Sequence, residues 1–244
     1  MNLIIDIGNT GIKTAVFAPD NKMLHWQRTD ADNFLDILAQ ILSKFSIQNT
    51  LISQVGQPVE GLEDFLSKHN IAFIKLHPGL NLPFKTGYKT PDTLGADRIG
   101  LVAGAVLKHP DTHKLIIDAG TCVTYDFIDK NNVYHGGAIS PGLRLRFKSL
   151  NDYTANLPLL QAGDEEIPLT GYDTATSIKS GVVHGLVNEI EGFIVKYNLK
   201  FHGLKVFLTG GDKKLLDRYI KNKIFVSSKS LLLEGLNYIL NLNK

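Results

Sequence analysis

The sequence predicts an α/β protein built from two similar halves, 1–112 and 113–244, each a mixed five-stranded sheet flanked by helices. Three observations predict it. Ile5-Asp6-Ile7-Gly8-Asn9-Thr10 and Ile117-Asp118-Ala119-Gly120-Thr121-Cys122 spell one pattern: an apolar strand, Asp, any residue, Gly, then hydroxyl or amide residues. Two further strands follow each copy in hairpin order, and helices then alternate with strands. No low-complexity stretch or polar linker interrupts the chain.

In the first half, Leu3–Asp6 is an apolar run ended by glycine, as a buried strand would be. Ile12–Phe17 and Met23–Arg28 are the next strands, with Pro19-Asp20-Asn21 as their turn. Phe34, Leu35, Leu38, Ile41, Leu42 and Phe45 recur at helical spacing. Strand Thr50–Gln54, helix Val59–Lys68 and strand Ala72–Leu76 follow. His77–Thr93 carries three prolines and two glycines and reads as a long loop, the kind that is often functional. A helix over about Leu94–Lys108 closes this half.

The second half repeats the opening. Leu115–Asp118, Cys122–Ile128 and Val133–Ile139 are strands, with Asp129-Lys130-Asn131-Asn132 as a turn. Helices over about Leu143–Tyr153 and Thr176–Tyr197, strand Lys205–Thr209, a helix after Asp212, a short strand near Phe225 and a helix Leu231–Leu240 complete the chain. Trp26 reads as a packing residue, Cys122 as a small buried thiol, and His135, His184 and His202 as structural.

Composition excludes several function classes. With 26 Lys+Arg against 24 Asp+Glu, the net charge is +2, and no basic stripe suggests a nucleic-acid partner. Lys221, Lys223 and Lys229 read as a solvated surface. One cysteine cannot form an internal disulfide and fits a reducing compartment. The N-terminus lacks a signal-peptide pattern, and no apolar run approaches the about 20 residues of a membrane helix. A cytoplasmic protein with no membrane partner is expected.

The repeated motif suits phosphate chemistry. A tight hairpin with glycine at its bend presents backbone N–H groups to an anion. Gly8, Asn9, Thr10 and Gly11 fit such a cradle, Lys13 can reach the same phosphates, and Gly120-Thr121 offers a second. Asp6 could hold hydrated Mg²⁺, which takes one or two carboxylates plus phosphate oxygens. The chain has no G-x-x-x-x-G-K-[ST], and no G-x-G-x-x-G follows its first strand, so P-loop and Rossmann readings fail. Gly210-Gly211 fits close approach to an adenosine or a sharp strand-to-helix turn. Asp97-Arg98, at a glycine-flanked helix start, fits either a site for a polar substrate or an ordinary surface or capping pair. Gly181 and Gly185, on an otherwise apolar helix, suit a close helix contact.

The duplicated hairpins resemble the superfamily of actin, the sugar and acetate kinases and the seventy-kilodalton heat-shock chaperones. Together with Gly95-Ala96-Asp97-Arg98, Ile139-Ser140-Pro141-Gly142 and Leu233-Glu234-Gly235-Leu236, they are similar in set and order to the type III pantothenate kinases. The resemblance implies duplicated actin-like (ribonuclease H-like) domains with the nucleotide in the cleft between them. It implies ATP-dependent phosphorylation of pantothenate, the first step toward coenzyme A. Asp6, Ile7, Gly8, Asn9, Thr10, Gly11, Ile12 and Lys13 would bind ATP, joined by Thr121. Asp97 would accept the proton of the pantothenate hydroxyl, and Tyr88, Gly95, Ala96, Arg98 and Thr174 would contact that substrate. Asp118 would hold a monovalent cation, K⁺ or NH₄⁺, beside the Mg²⁺ of ATP. A homodimer is implied as well. Cys122 stands where the family usually has alanine, and Asp173 precedes Thr174 where asparagine is expected. A non-enzymatic accessory or regulatory factor, or another small-molecule kinase of the superfamily, is the alternative.

Overall fold

A computed structural model describes residues 1–221, 225–226 and 230–244. Its contacts divide the chain into one unit of 1–110, 132–134 and 230–244 and another of 111–131 and 135–229.

In the first unit, β1 (Asn2–Gly8) is antiparallel to β2 (Gly11–Phe17), and β2 to β3 (Met23–Thr29). After α1 (Phe34–Lys44), β4 (Asn49–Gln54) lies parallel to β1; after α2 (Leu62–Lys68), β5 (Ala72–Lys75) lies parallel to β4. The sheet order is therefore β3-β2-β1-β4-β5. β1 is buried along nearly its whole length, because apolar residues on both faces meet covering layers. Leu3, Ile5 and Ile7 join Phe34, Leu38 and Ile41 of α1 and Leu62 and Leu66 of α2 in one core. β3, an edge strand, alternates half-buried and exposed positions. Trp26 lies on it at 54% exposed, which corrects the packing reading. The loop after β5 contains β6 (Lys85–Thr86) and a 3₁₀ turn (Pro91–Thr93) before α3 (Ala96–Lys108).

In the second unit, β7 (Lys114–Ala119) and β8 (Cys122–Ile128) form the second hairpin, followed by β9 (Val133–Pro141), α4 (Leu143–Asp152) and α5 (Thr174–Lys200). β10 (Lys205–Thr209), after α5, is parallel to β7, and β11 (Phe225–Val226), after α6 (Lys213–Tyr219), is parallel to β10. The order β11-β10-β7-β8-β9 repeats the first sheet, strand for strand. β6 adds a sixth strand at the edge of β9, pairing with Val133 and Tyr134, which cluster with the first unit. Leu115, Ile117 and Ala119 pack with Val183, Leu186 and Ile190 of α5.

The last helix, α7 (Leu231–Leu242), corrects the domain boundary: it belongs with the first unit, not with 113–244. Its apolar stripe and Gly235 pack on α3, and it lies against β1 and β4. Asn2 of β1 donates to Asn237 at 2.8 Å and to Asn241 at 2.9 Å of that helix. Lys221 is exposed, whereas Lys223 and Lys229 lie outside the described residues.

Candidate active site

The β1–β2 hairpin closes at Gly8↔Gly11, leaving Asn9-Thr10 as its two-residue tip. Gly11 has φ +142°, a conformation that side-chain-bearing residues rarely adopt. Gly56, which sequence reasoning passed over, explains the tightness of this end. A Cβ there would lie 2.3 Å from the Gly8 carbonyl oxygen, and its N–H donates to Ile7 O at 2.9 Å. Arg28 was also missed; it donates to Thr10 O at 2.5 Å and so braces the tip. Asp6, 2% exposed, sits in register with Lys13 on one side and Ser53 on the other. Lys13 Nζ lies 3.2 Å from Oδ2, and Ser53 donates to Oδ1 at 3.0 Å. Ile7 and Ile12 are core residues, so whatever they offer a nucleotide comes from backbone.

Asp97 is half-buried at the second position of α3, where the unpaired N–H groups of a helix start favour a carboxylate. Its Oδ1 accepts the Arg98 N–H at 2.8 Å. Gly95 caps this helix, and a Cβ on it would meet Asp97 Oδ1 at 2.6 Å, so glycine leaves that oxygen room. Ala96 is buried. Arg98 is buried too; it donates to the Tyr134 hydroxyl at 2.8 Å and stands 5.7 Å from the centre of the Tyr88 ring. Tyr88, Arg98 and Tyr134, distant in sequence, therefore share one polar-aromatic cluster. Gly87 N–H to Tyr134 O, 2.8 Å, holds the Tyr88 segment there. The Tyr134 hydroxyl was not anticipated, since a lone tyrosine in a strand carries no signal in sequence.

In the second unit, Asp118 of β7 is in register with Thr124 of β8 and Thr209 of β10. Directly paired residues of adjacent strands face the same side. The arrangement mirrors Asp6 between Lys13 and Ser53, with threonine in place of lysine. Thr124 Oγ1 is buried and has no hydrogen-bond partner among the described residues. At the bend, Gly120 N–H donates to Cys122 O at 3.0 Å and Gly142 N–H to Thr121 O at 3.1 Å. Gly210, with φ +100°, presses on Ala119, where a Cβ would sit 2.1 Å from its carbonyl oxygen. Gly210 thus makes the sharp turn, while among the described residues no atom beyond its chain neighbours would lie within 4 Å of a Cβ on Gly211. Asp212 N–H donates to Ala119 O at 3.0 Å, and burial raises the Asp212 carboxyl pKa against an opposing hydrogen bond from Leu143 N–H.

Cys122 is exposed, not buried, because it opens β8 beside the bend. Thr174 is the exposed first residue of α5. Asp173 before it caps that helix by accepting Thr176 N–H at 2.7 Å, which gives an acidic residue a structural reason there. Its carboxyl is held below the usual range by the hydrogen bonds from the Thr176 backbone and side chain. His184 reaches Ile167 O at 3.1 Å and His135 pairs with Asp129 at 2.8 Å, as structural histidines do; His202 is exposed.

The donor sets suit cations. No cluster of three or more His, Cys, Asp or Glu forms among the described residues, so a transition-metal centre has no cage there. Asp6 offers the single carboxylate that Mg²⁺ on a phosphate chain typically uses. Asp118 and the Thr124 hydroxyl, in register on adjacent strands, are both oxygen donors, the ligand type that hard cations take. No helix among the described residues is long and apolar enough to cross a membrane.

Comparison with known proteins gives a consistent result. The type III pantothenate kinase family profile matches residues 2–196. A type III pantothenate kinase of Christiangramia forsetii is 46% identical over all of this chain and 99% of its own. Among solved structures, a Baf-family protein of Campylobacter jejuni superposes with TM-score 0.62 at 24% identity, covering 98% of this chain and 97% of that one. A Sinorhizobium meliloti protein named as a candidate 2-dehydro-3-deoxygalactonokinase gives 0.59 at 12% identity, covering 98% of both. At those identities the structures speak for the fold alone.

Proposed function

The chain belongs to the type III pantothenate kinase family, whose members phosphorylate pantothenate on the path to coenzyme A, and we propose which of its residues do this and how. The fold is the duplicated actin-like one of the sugar kinases. Moving the ATP γ-phosphoryl group to an alcohol needs little covalent work from a protein. It must position the hydroxyl, stabilise phosphate charge and accept one proton.

The observation that carries the assignment is the Asp97 cluster. A half-buried carboxylate at a helix start stands next to a buried guanidinium that Tyr134 and Tyr88 hold in place. In this reading Asp97 takes the hydroxyl proton of pantothenate. Arg98 meets the substrate's polar groups, with Gly95 and Ala96 supplying room and backbone, and Tyr88 and Thr174 as further contacts. Gly8–Gly11 and Lys13 cradle ATP phosphates, and Thr121 is a further ATP contact. Mg²⁺, held through Asp6 and phosphate oxygens, supplies charge neutralisation. The register supports Asp118 and Thr124 as the monovalent-cation site, since the cation would stand where Lys13 stands beside Asp6. Thr124→Lys is therefore expected to lower the dependence of turnover on K⁺, read by titrating KCl against a choline background. An unchanged K⁺ requirement would move that site elsewhere. The working unit is a cytoplasmic homodimer, with no nucleic-acid or membrane partner.

A panel of acceptors tests the reading. Purified protein with ATP and Mg²⁺ is expected to phosphorylate pantothenate and to leave acetate and hexoses untouched. Equal turnover of a sugar would favour another kinase of the superfamily, and no turnover of any acceptor an accessory role.

A further inference from the structure

Arg146, Glu189 and Tyr125 have no part in the assignment above, yet they converge on one segment of the second unit. That segment is Ser140-Pro141-Gly142, at the end of β9. It presses on the second phosphate hairpin without an intervening side chain. Gly142 N–H donates to Thr121 O at 3.1 Å, and a Cβ on Gly142 would lie 2.1 Å from Gly120 O and 2.6 Å from Thr121 O. Where the 140–142 turn sits, the backbone of Gly120 and Thr121 must follow.

A charged network fixes the turn from behind. Arg146, one turn into α4, donates through Nε to Pro141 O at 2.8 Å and through one Nη to Ser140 Oγ at 2.8 Å. The same Nη donates to Glu189 Oε2 at 2.5 Å, tying the turn to α5. Ser140 completes the triangle by donating to Glu189 Oε2 at 3.1 Å. Glu189 Oε1 accepts the Tyr125 hydroxyl at 2.7 Å from β8, the second strand of the hairpin itself. The Glu189 carboxylate thus joins hairpin strand, turn and helix. Burial alone would raise its pKa, but the hydrogen bonds from Arg146, Tyr125 and Ser140 outweigh that and hold it ionised.

We infer that Arg146 and Glu189 are positioning residues that clamp the Ser140-Pro141-Gly142 turn onto Gly120-Thr121 and so set the geometry of the ATP contact at Thr121. Pro141 suits a clamped turn, having a fixed φ and no N–H to leave unpaired. Arginine suits the role because its rigid planar fork donates from two separate nitrogens, Nε and one Nη, whereas a lysine ammonium donates from a single point. The Arg146–Glu189 pair is only partly buried, so its net gain in stability is small and its consequence is the position it enforces. The inference rests on Thr121 being an ATP contact, and the experiment separates the two ideas.

Arg146→Lys and Glu189→Gln change the clamp while keeping side-chain size, and Tyr125→Phe removes one donor only. Calorimetric binding of a non-hydrolysable ATP analogue is measured for each variant, with steady-state KM for ATP and pantothenate and the thermal midpoint. At metal sites, loss of the partners that orient the ligands typically costs about 10–100-fold, and an effect of that order is expected here. Arg146→Lys and Glu189→Gln are expected to weaken analogue binding and raise the ATP KM by about tenfold or more, leave the pantothenate KM within about twofold, and keep a folded protein at assay temperature. Tyr125→Phe should show a smaller loss of the same kind. Unchanged analogue affinity in both charged variants would overturn the inference. So would a loss of active protein with both KM values unaltered, since that is the signature of a purely structural pair. Analogue binding needs no pantothenate, so wild-type protein that binds it without phosphorylating pantothenate would sink the kinase reading and leave the clamp standing. Wild-type protein that binds no analogue would overturn both.

Discussion

Lys114 begins β7 with neighbours on both sides, Ile128 of β8 and Lys205 of β10, and its side chain is fully buried. Its ammonium donates to Thr112 O at 2.7 Å. Burial lowers its pKa to about 8 from the ordinary 10.5, against the opposing pull of Asp111 and Asp129. Between those values the unfolded chain binds more protons than the folded one, so folding stability rises with pH across that window. Lys114→Met removes a charge that burial opposes. The variant is expected to melt higher than wild type at pH 7, with the gain shrinking as pH climbs from about 8 to 10.5. Thermal midpoints across that range check this; a pH-independent difference would show that the charge is not the cause. Nothing in the sequence flagged Lys114, because a lysine at a strand start is usually solvated and only the pairing on both sides buries it. Asp6, Asp97 and Asp118 were legible for the opposite reason: each stands beside glycines in a pattern that local geometry demands.

Among elements, α3 and α7 are fitted to each other through glycine. A Cβ on Gly235 would lie 2.0 Å from Gly100 O and 2.5 Å from Gly104 N, and one on Gly104 would lie 2.2 Å from Leu231 O. Lys108 and Glu234 pair at 2.7 Å along the same contact. The backbones touch, so no rotamer change absorbs an added methyl group. Gly235→Ala must push the helices apart, and overpacking of this kind costs about 1–3 kcal/mol. For a chain of this size that corresponds to a midpoint lower by roughly 2–12 °C. Because α3 carries Asp97 and Arg98 in its first turn, the pantothenate KM is expected to rise as well. An unchanged midpoint would mean that the helices tolerate separation. The Leu233-Glu234-Gly235-Leu236 motif was visible in sequence, but its partner was not. Apolar spacing shows that a helix has a buried face and leaves open which distant element covers it, and this is why α7 was assigned to the wrong half. The hairpins could be read ahead because their contacts are between neighbours in sequence, and the second followed from the duplication. The support given by Gly56, Arg28 and Tyr134 could not, since each acts across a long sequence separation.

At the scale of the whole molecule, α5 turns an uncovered face outward. Ser177, Gly181, Gly185, Val195 and Leu199 are exposed along it, Leu199 at 78%, and among the described residues no atom beyond the helix's own adjacent backbone would lie within 4 Å of a Cβ at Gly181, Gly185 or Gly192. Among the described residues the expected close helix contact is not made, and the homodimer proposed above would supply it. Gly185→Phe is expected to yield a monomer by light scattering with a large loss of turnover; a wild-type monomer with full activity would refute the dimer. The whole account converges on proton acceptance by Asp97, which is tested by comparing wild type with Asp97→Asn in one set of measurements. General-base contributions run at about 10²–10⁴-fold. The account predicts that pantothenate turnover falls by about that factor while ATP-analogue affinity and the thermal midpoint stay near wild type. Near-normal kcat in the folded variant would contradict it.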